Sequence, residues 1–162
     1  LSWLNGRYLR EKLSHEDVVR HLREEVFSEE ALSRIVPLVV ERFRVFEEFV
    51  PKTAYFFGGL VDVEARDLLP KKREPKEIAK ALKAVVEAVE KQAEWTPEGI
   101  EALLREQAEA TGLGVKGLFM PIRVAVTGSK ATPPLFDTME VLGREVCRRR
   151  LQHAIDVLRS AR

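Results

Sequence analysis

Apolar residues recur every three or four positions along almost the whole chain, the spacing that lines one face of an α-helix. One stripe runs through Leu32, Ile35, Val39, Phe43, Phe46 and Val50, and another through Ile78, Leu82, Val85 and Val89. A third takes Ile100, Leu103 and Leu104. The last passes Leu135, Met139 and Leu142, then Val146, Leu151, Ile155 and Leu158. Strict alternation, the mark of a half-buried strand, persists nowhere, although Ile122–Val126 also reads as a short strand. The expected fold class is all-α.

Punctuation residues divide these stripes. Ser14 is placed to cap a helix over about 15–26, and Ser28 the next, with Glu29 and Glu30 where the helix dipole favours acids. Pro37 falls inside the second pattern and is expected to kink or split it, while Pro51 is expected to break the chain. An aromatic run (Tyr55, Phe56, Phe57) and a Gly58-Gly59 turn follow. The charged, proline-bounded segment 70–75 reads as a connector between two packed helical subdomains, 1–72 and 73–162. Beyond it a helix is expected over about 75–93. Thr96-Pro97-Glu98 opens another, with Trp95 and Ile100 able to pack as a hydrophobic staple. Gly112 and Gly114 end that helix, Gly128 closes a shorter apolar stretch over 118–126, and one final helical segment covers about 134–158.

With 45% hydrophobic and 33% charged residues in 162, the chain has the composition of a soluble globular protein. No apolar run approaches the ~20 residues needed to span a bilayer. One cysteine, Cys147, excludes an internal disulfide and fits a reducing cytoplasmic location. His15, His21 and His153 form no metal-binding pair. The opening on Leu1 rather than methionine suggests a piece of something longer. Net charge is +1, but its distribution is uneven: residues 1–109 carry 18 basic and 22 acidic side chains, residues 110–162 carry 9 and 4. Lys116, Arg123 and Lys130 occupy a stretch without acids between Glu109 and Asp137. Such asymmetry suits either a polyanion or a merely solvated basic face.

Catalytic motifs are missing. Gly128-Ser129-Lys130 has the letters of a phosphate-loop end in the wrong order and reads as a turn closing the preceding helix. No nucleophile–base pair stands out, and the chain alone is expected to be non-catalytic. What remains is the segment 116–136, which mixes cations, hydroxyls, loop residues and apolar tips, the combination by which splayed single-stranded RNA bases are recognised. Lys116, Lys130 and Arg148 are candidate phosphate contacts. The neighbouring run through Arg149 and Arg150 reads as an exposed face of the terminal helix.

The letters then become specific. Leu1-Ser-Trp-Leu-Asn-Gly-Arg-Tyr-Leu-Arg10 resembles the segment of glutamyl-tRNA synthetases just beyond the catalytic half. Met120-Pro-Ile-Arg-Val-Ala-Val-Thr-Gly128, continuing through Pro134-Leu-Phe136 to Leu142-Gly-Arg-Glu145, is similar to a second signature of that family. The Glu94-Trp95-Thr96 and Glu41-Arg42-Phe43 regions fall in the same order, and the likeness covers nearly the whole chain. It departs from the family at Pro134, where glycine is usual, and at Pro37 in the helix leading to Arg42.

This resemblance implies the carboxy-terminal, anticodon-binding part of a glutamate–tRNA ligase. ATP and Mg²⁺ would serve a Rossmann-type catalytic domain outside this chain, and no cofactor is expected here. The implied partner is the tRNA for glutamate, bound through its anticodon arm, with no DNA, no membrane, and the chain acting as a monomer. Arg42 matches the arginine that reads the third anticodon base in members selective for the glutamate tRNA over the glutamine tRNA. Arg123, Thr132, Pro133 and Leu135 match loop positions around the first two bases. Competing readings are an Arg42 ion pair with Glu41, Glu47 or Glu48, and an interhelical salt bridge for Arg123. For the chain as a whole the alternative is a non-catalytic helical protein-interaction module with a basic face.

Overall fold

The computed structural model describes residues 11–161, so the signature segment 1–10, with Trp3 and Tyr8, lies outside the described residues. Within them the chain is helical, and no strand occurs. α1 (His15–His21) continues into a π turn over Leu22–Val26. α2 (Glu29–Val39) runs into a 3₁₀ turn, Val40–Arg42, and a second such turn, Phe46–Glu48, leads into α3 (Phe49–Phe57). After α4 (Ala65–Leu68) come α5 (Pro75–Lys91), α6 (Pro97–Ala110), α7 (Gly114–Thr127), α8 (Leu135–Leu142) and α9 (Arg144–Ser160).

Caps set several of these boundaries as the sequence expects. Ser14 accepts from the Asp17 amide while Asp17 reaches back to the Ser14 amide, a reciprocal capping box. Ser28 caps α2 through the Ala31 amide, and Thr96 caps α6 through the Gly99 amide. Gly128 closes α7 with φ +74° and donates to Val124 O. Ile122–Val126, the possible strand, lies inside that helix.

Four expectations need correction. The Leu32–Val50 stripe is not one helix: α2 stops at Val39, and Phe46 and Val50 are exposed at 87% and 60%. Pro37 does not split α2, which continues past it to Val39, although it ends within a turn. Pro51 does not break the chain but occupies the first turn of α3, where an amide hydrogen has no partner inside the helix and its absence costs little. The final segment is two helices, because Gly143 at φ +83° and ψ 154° turns the chain between α8 and α9.

α9 packs chiefly on α5 and also touches α7, the short α4 and α8, while α6 packs on α7, α8 and α5. Ile78, Leu82, Val85 and Val89 of α5 meet Leu151, Ile155 and Leu158 of α9, all at 1% exposure or less. This continuous core begins at Val63 and Leu68, before the 70–75 connector, whose turn places Lys72 at φ +63°. Ile35 and Val39 are buried but lie outside it, and α1 buries no residue at all. Trp95 packs on the core and donates from Nε1 to Met139 O at 3.0 Å, with the Arg144 guanidinium over its ring at 5.7 Å. No helix among the described residues is long and apolar enough to cross a membrane.

Candidate nucleic-acid interface

A cleft of about 870 Å³ opens between two walls. One is formed by the end of α2, the Arg42 turn, α3 and the irregular segment 58–62; the other is the α7–α8 loop from Thr127 to Pro133. The walls meet where Gly128 passes under the chain at Asp62. A Cβ on Gly128 would stand 3.3 Å from Asp62 O, and its φ of +74° is one that L side chains rarely adopt.

Arg42, Thr132 and Pro133 all line this cleft. Arg42 ends a 3₁₀ turn, and its carbonyl accepts from Lys52 Nζ, which also pairs with Glu48 at 2.7 Å. Glu48 in turn accepts from the Arg44 amide, and the Lys52 hydrogen bond, above all, holds its carboxyl below the usual range. Glu48 is therefore committed to Lys52 rather than to Arg42. The exposed Arg42 side chain is carried on a loop pinned from below.

Arg123 has a different place. It is half-buried on α7, and Nη1 donates to Thr132 Oγ1, to Pro133 O at 2.7 Å and to Thr132 O at 3.4 Å. It braces the back of the loop and, among the described residues, makes no interhelical salt bridge. Burial, with the Arg42 charge nearby as a second cause, lowers its pKa below the ordinary arginine value. Arg42 and Arg123 thus bring two positive charges close together beside a cleft that Asp62 also lines, which leaves a positive bias there. Leu135 begins α8 and is 4% exposed, so it anchors the loop's end in the core.

The proposed phosphate contacts are dispersed. Lys116 is exposed on the first turn of α7. Lys130 pairs with Asp67 at 2.8 Å, and that hydrogen bond, chiefly, lowers the Asp67 pKa. Arg148 pairs with Glu145 at 2.8 Å and with Glu90 at 3.5 Å. Arg150 is no part of an exposed face: it is 0% exposed and donates to the carbonyls of Tyr55, Gly58, Gly59 and Val126. The surface excess of positive charge in the second half is thus smaller than the sequence implies.

Tyr55 is the cleft residue that sequence reasoning passed over as part of an aromatic run. Its hydroxyl is buried without a hydrogen-bond partner among the described residues, and burial pushes its pKa up to about 12 against the pull of Arg42 and Arg123. Nothing in the sequence sets it apart from Phe56 and Phe57, and only the fold brings it to the two arginines. Among the described residues, no three His, Cys, Asp or Glu come together to hold a metal ion.

Residues 11–155 match the anticodon binding domain family. Over 158 residues the chain is 37% identical to a glutamate–tRNA ligase of Agrobacterium fabrum, a match covering 98% of this chain and 33% of that protein. To the glutamate–tRNA ligase of Rhizobium meliloti it is 36% identical over 160 residues, covering 99% of this chain and again 33% of the relative. A crystal structure of a glutamate tRNA ligase from Elizabethkingia meningosepticum matches 96% of this chain and 32% of its own, with TM-score 0.72 and 26% identity. The glutamate-tRNA synthetase from Elizabethkingia anophelis shares the fold, at TM-score 0.63 and 23% identity. The chain spans about a third of the length of the relatives it matches. These likenesses do not favour a protein-interaction module with a basic face.

Proposed function

This chain belongs to the anticodon-binding domain family, and from that premise we propose that it grips the anticodon arm of the glutamate tRNA for a glutamate–tRNA ligase. The observation that carries the reading is the cleft itself, in which Arg42 faces Thr132 and Pro133 across a gap of about 870 Å³. A space of that size admits a splayed nucleobase. Arginine's planar fork supplies donors to a base edge, while the loop supplies backbone carbonyls and an apolar proline wall. In this arrangement Arg42 touches the third anticodon base. Thr132 and Pro133 flank the first two, Arg123 fixes the loop that presents them, and Leu135 anchors its far end.

Phosphates lie outside the cleft, where Lys116 meets the backbone directly. Lys130 and Arg148 would first have to exchange Asp67 and the Glu145–Glu90 pair for phosphate oxygens. Those contacts add affinity without sequence information. The ligase activity, with its ATP and Mg²⁺, belongs to the portion of the relatives' length that this chain does not span. A cytoplasmic location and a monomeric state complete the reading.

The test compares Arg42→Ala with the unsubstituted chain in binding anticodon stem-loops that carry the glutamate or the glutamine anticodon. The expected result is selective loss: about tenfold weaker binding to the glutamate loop, a cost of ~1.4 kcal/mol, with little change for the glutamine loop. Equal affinities for both loops in both proteins would remove Arg42 as the discriminating residue.

A further inference from the structure

Arg150 is the largest fully buried side chain among the described residues, and it is charged. Among the described residues its guanidinium has no carboxylate partner. Instead Nε donates to Gly59 O and Nη2 to Tyr55 O and Gly58 O, all at 2.7 Å, while Nη1 donates to Val126 O. Tyr55 and Val126 lie in the last turns of α3 and α7, where helix carbonyls have no amide partner of their own. Two helix carboxyl ends, each carrying partial negative charge, therefore converge on one cation from α9. That arrangement satisfies four carbonyls and compensates the buried charge at the same time.

The two ends it joins are the two walls of the cleft. Tyr55, Gly58 and Leu60 continue one wall, and Thr127, Gly128 and Ser129 the other. We propose that Arg150 is a positioning residue for RNA recognition: its guanidinium locks the carboxyl ends of α3 and α7 together and sets the cleft's width before RNA arrives. The inference rests on the anticodon-binding reading above. The planar fork is essential to it, because its three nitrogens reach separate acceptors in fixed directions. A lysine ammonium at the same place is a single point on a flexible stem and cannot hold both ends. Gly128 reinforces the joint, since its lack of a side chain allows the walls to close at Asp62.

A purely structural role would lower thermal stability and leave the affinity of the folded protein intact; a positioning role moves the affinity itself. The experiment measures binding of the glutamate anticodon stem-loop by Arg150→Lys and Arg150→Met, well below the unfolding transition and with helicity checked by circular dichroism. The expected loss is about tenfold for Arg150→Lys and greater for Arg150→Met. Wild-type affinity in a folded variant overturns the inference. Failure of the unsubstituted chain to bind the loop overturns the anticodon reading instead, so the two failures are distinct.

A second measurement keeps the inference testable should neither variant fold. Spin labels at Val50→Cys on α3 and Glu106→Cys on α6, both exposed, report the distance between one wall and the helical core in the presence of Arg150. The native Cys147 is buried and does not compete for label. A latched cleft gives one narrow distance that is unchanged on adding RNA. A broad distribution, or a shift on binding, contradicts it.

Discussion

Cys147 and Tyr55 are acids held in surroundings that resist their ionisation. Burial pushes the Cys147 thiol from 9.0 up to about 12, despite the opposing Arg150 charge, and the Tyr55 phenol from 10.0 up to about 12. As pH rises the unfolded chain releases these protons first, so their contribution to stability is complete below about pH 9 and is lost progressively towards about pH 12. Melting temperature measured from neutral to strongly alkaline pH should be level and then fall; a level profile throughout would contradict this assignment. The Tyr55 hydroxyl, buried and without a partner among the described residues, also makes Tyr55→Phe a near-neutral change, within ~1 kcal/mol in urea unfolding of the free protein. Destabilisation by several times that would mean the hydroxyl has a partner in solution. The legibility of individual residues followed their chemistry. The Thr132-Pro133 loop could be singled out because cations, hydroxyls and loop residues cluster in a short stretch, and Arg42 only through the family resemblance. Arg150 could not, since an arginine beside two others on an amphipathic helix is spelled the same whether it faces water or four carbonyls.

Among the elements, glycine and the caps carry the sharpest expectations. Gly112 and Gly128 both have positive φ, +69° and +74°, but only Gly128 has neighbours within 4 Å of a would-be Cβ. Gly112→Ala should cost ~1 kcal/mol for the backbone alone. Gly128→Ala should cost clearly more, because Asp62 O and Val61 must also give way. Equal effects of the two in denaturant titrations would show that the contact at Asp62 is soft. Thr96→Ala removes the α6 cap and should cost ~1 kcal/mol. These caps and the α5 and α9 stripes were legible because each is a local signal of a few residues. The stretch 40–51 was not. Its apolar residues keep helical spacing, but a 3₁₀ turn ends α2 and Pro51 is tolerated at the start of α3. The Gly143 break was equally hidden, since the stripe resumes in phase on the far side of it.

At the scale of the whole molecule, burial among the described residues is continuous across the charged connector. Its continuous core takes in Val63 and Leu68 and runs to Leu158, whereas α1 buries nothing and Ile35 and Val39 stand apart. Limited proteolysis should therefore leave a resistant product that begins before Val63; one beginning after Arg73 would favour a boundary in the connector. The central claim, that the cleft between α3 and the α7–α8 loop reads an anticodon, is tested most directly by anisotropy titration. Labelled stem-loops with the glutamate anticodon and with an unrelated loop sequence would be compared at two salt concentrations. Affinity should be higher for the glutamate loop at both concentrations, with added salt weakening both loops through their shared phosphate contacts. Equal affinity for the two loops would reduce the interface to a general polyanion site and contradict the account.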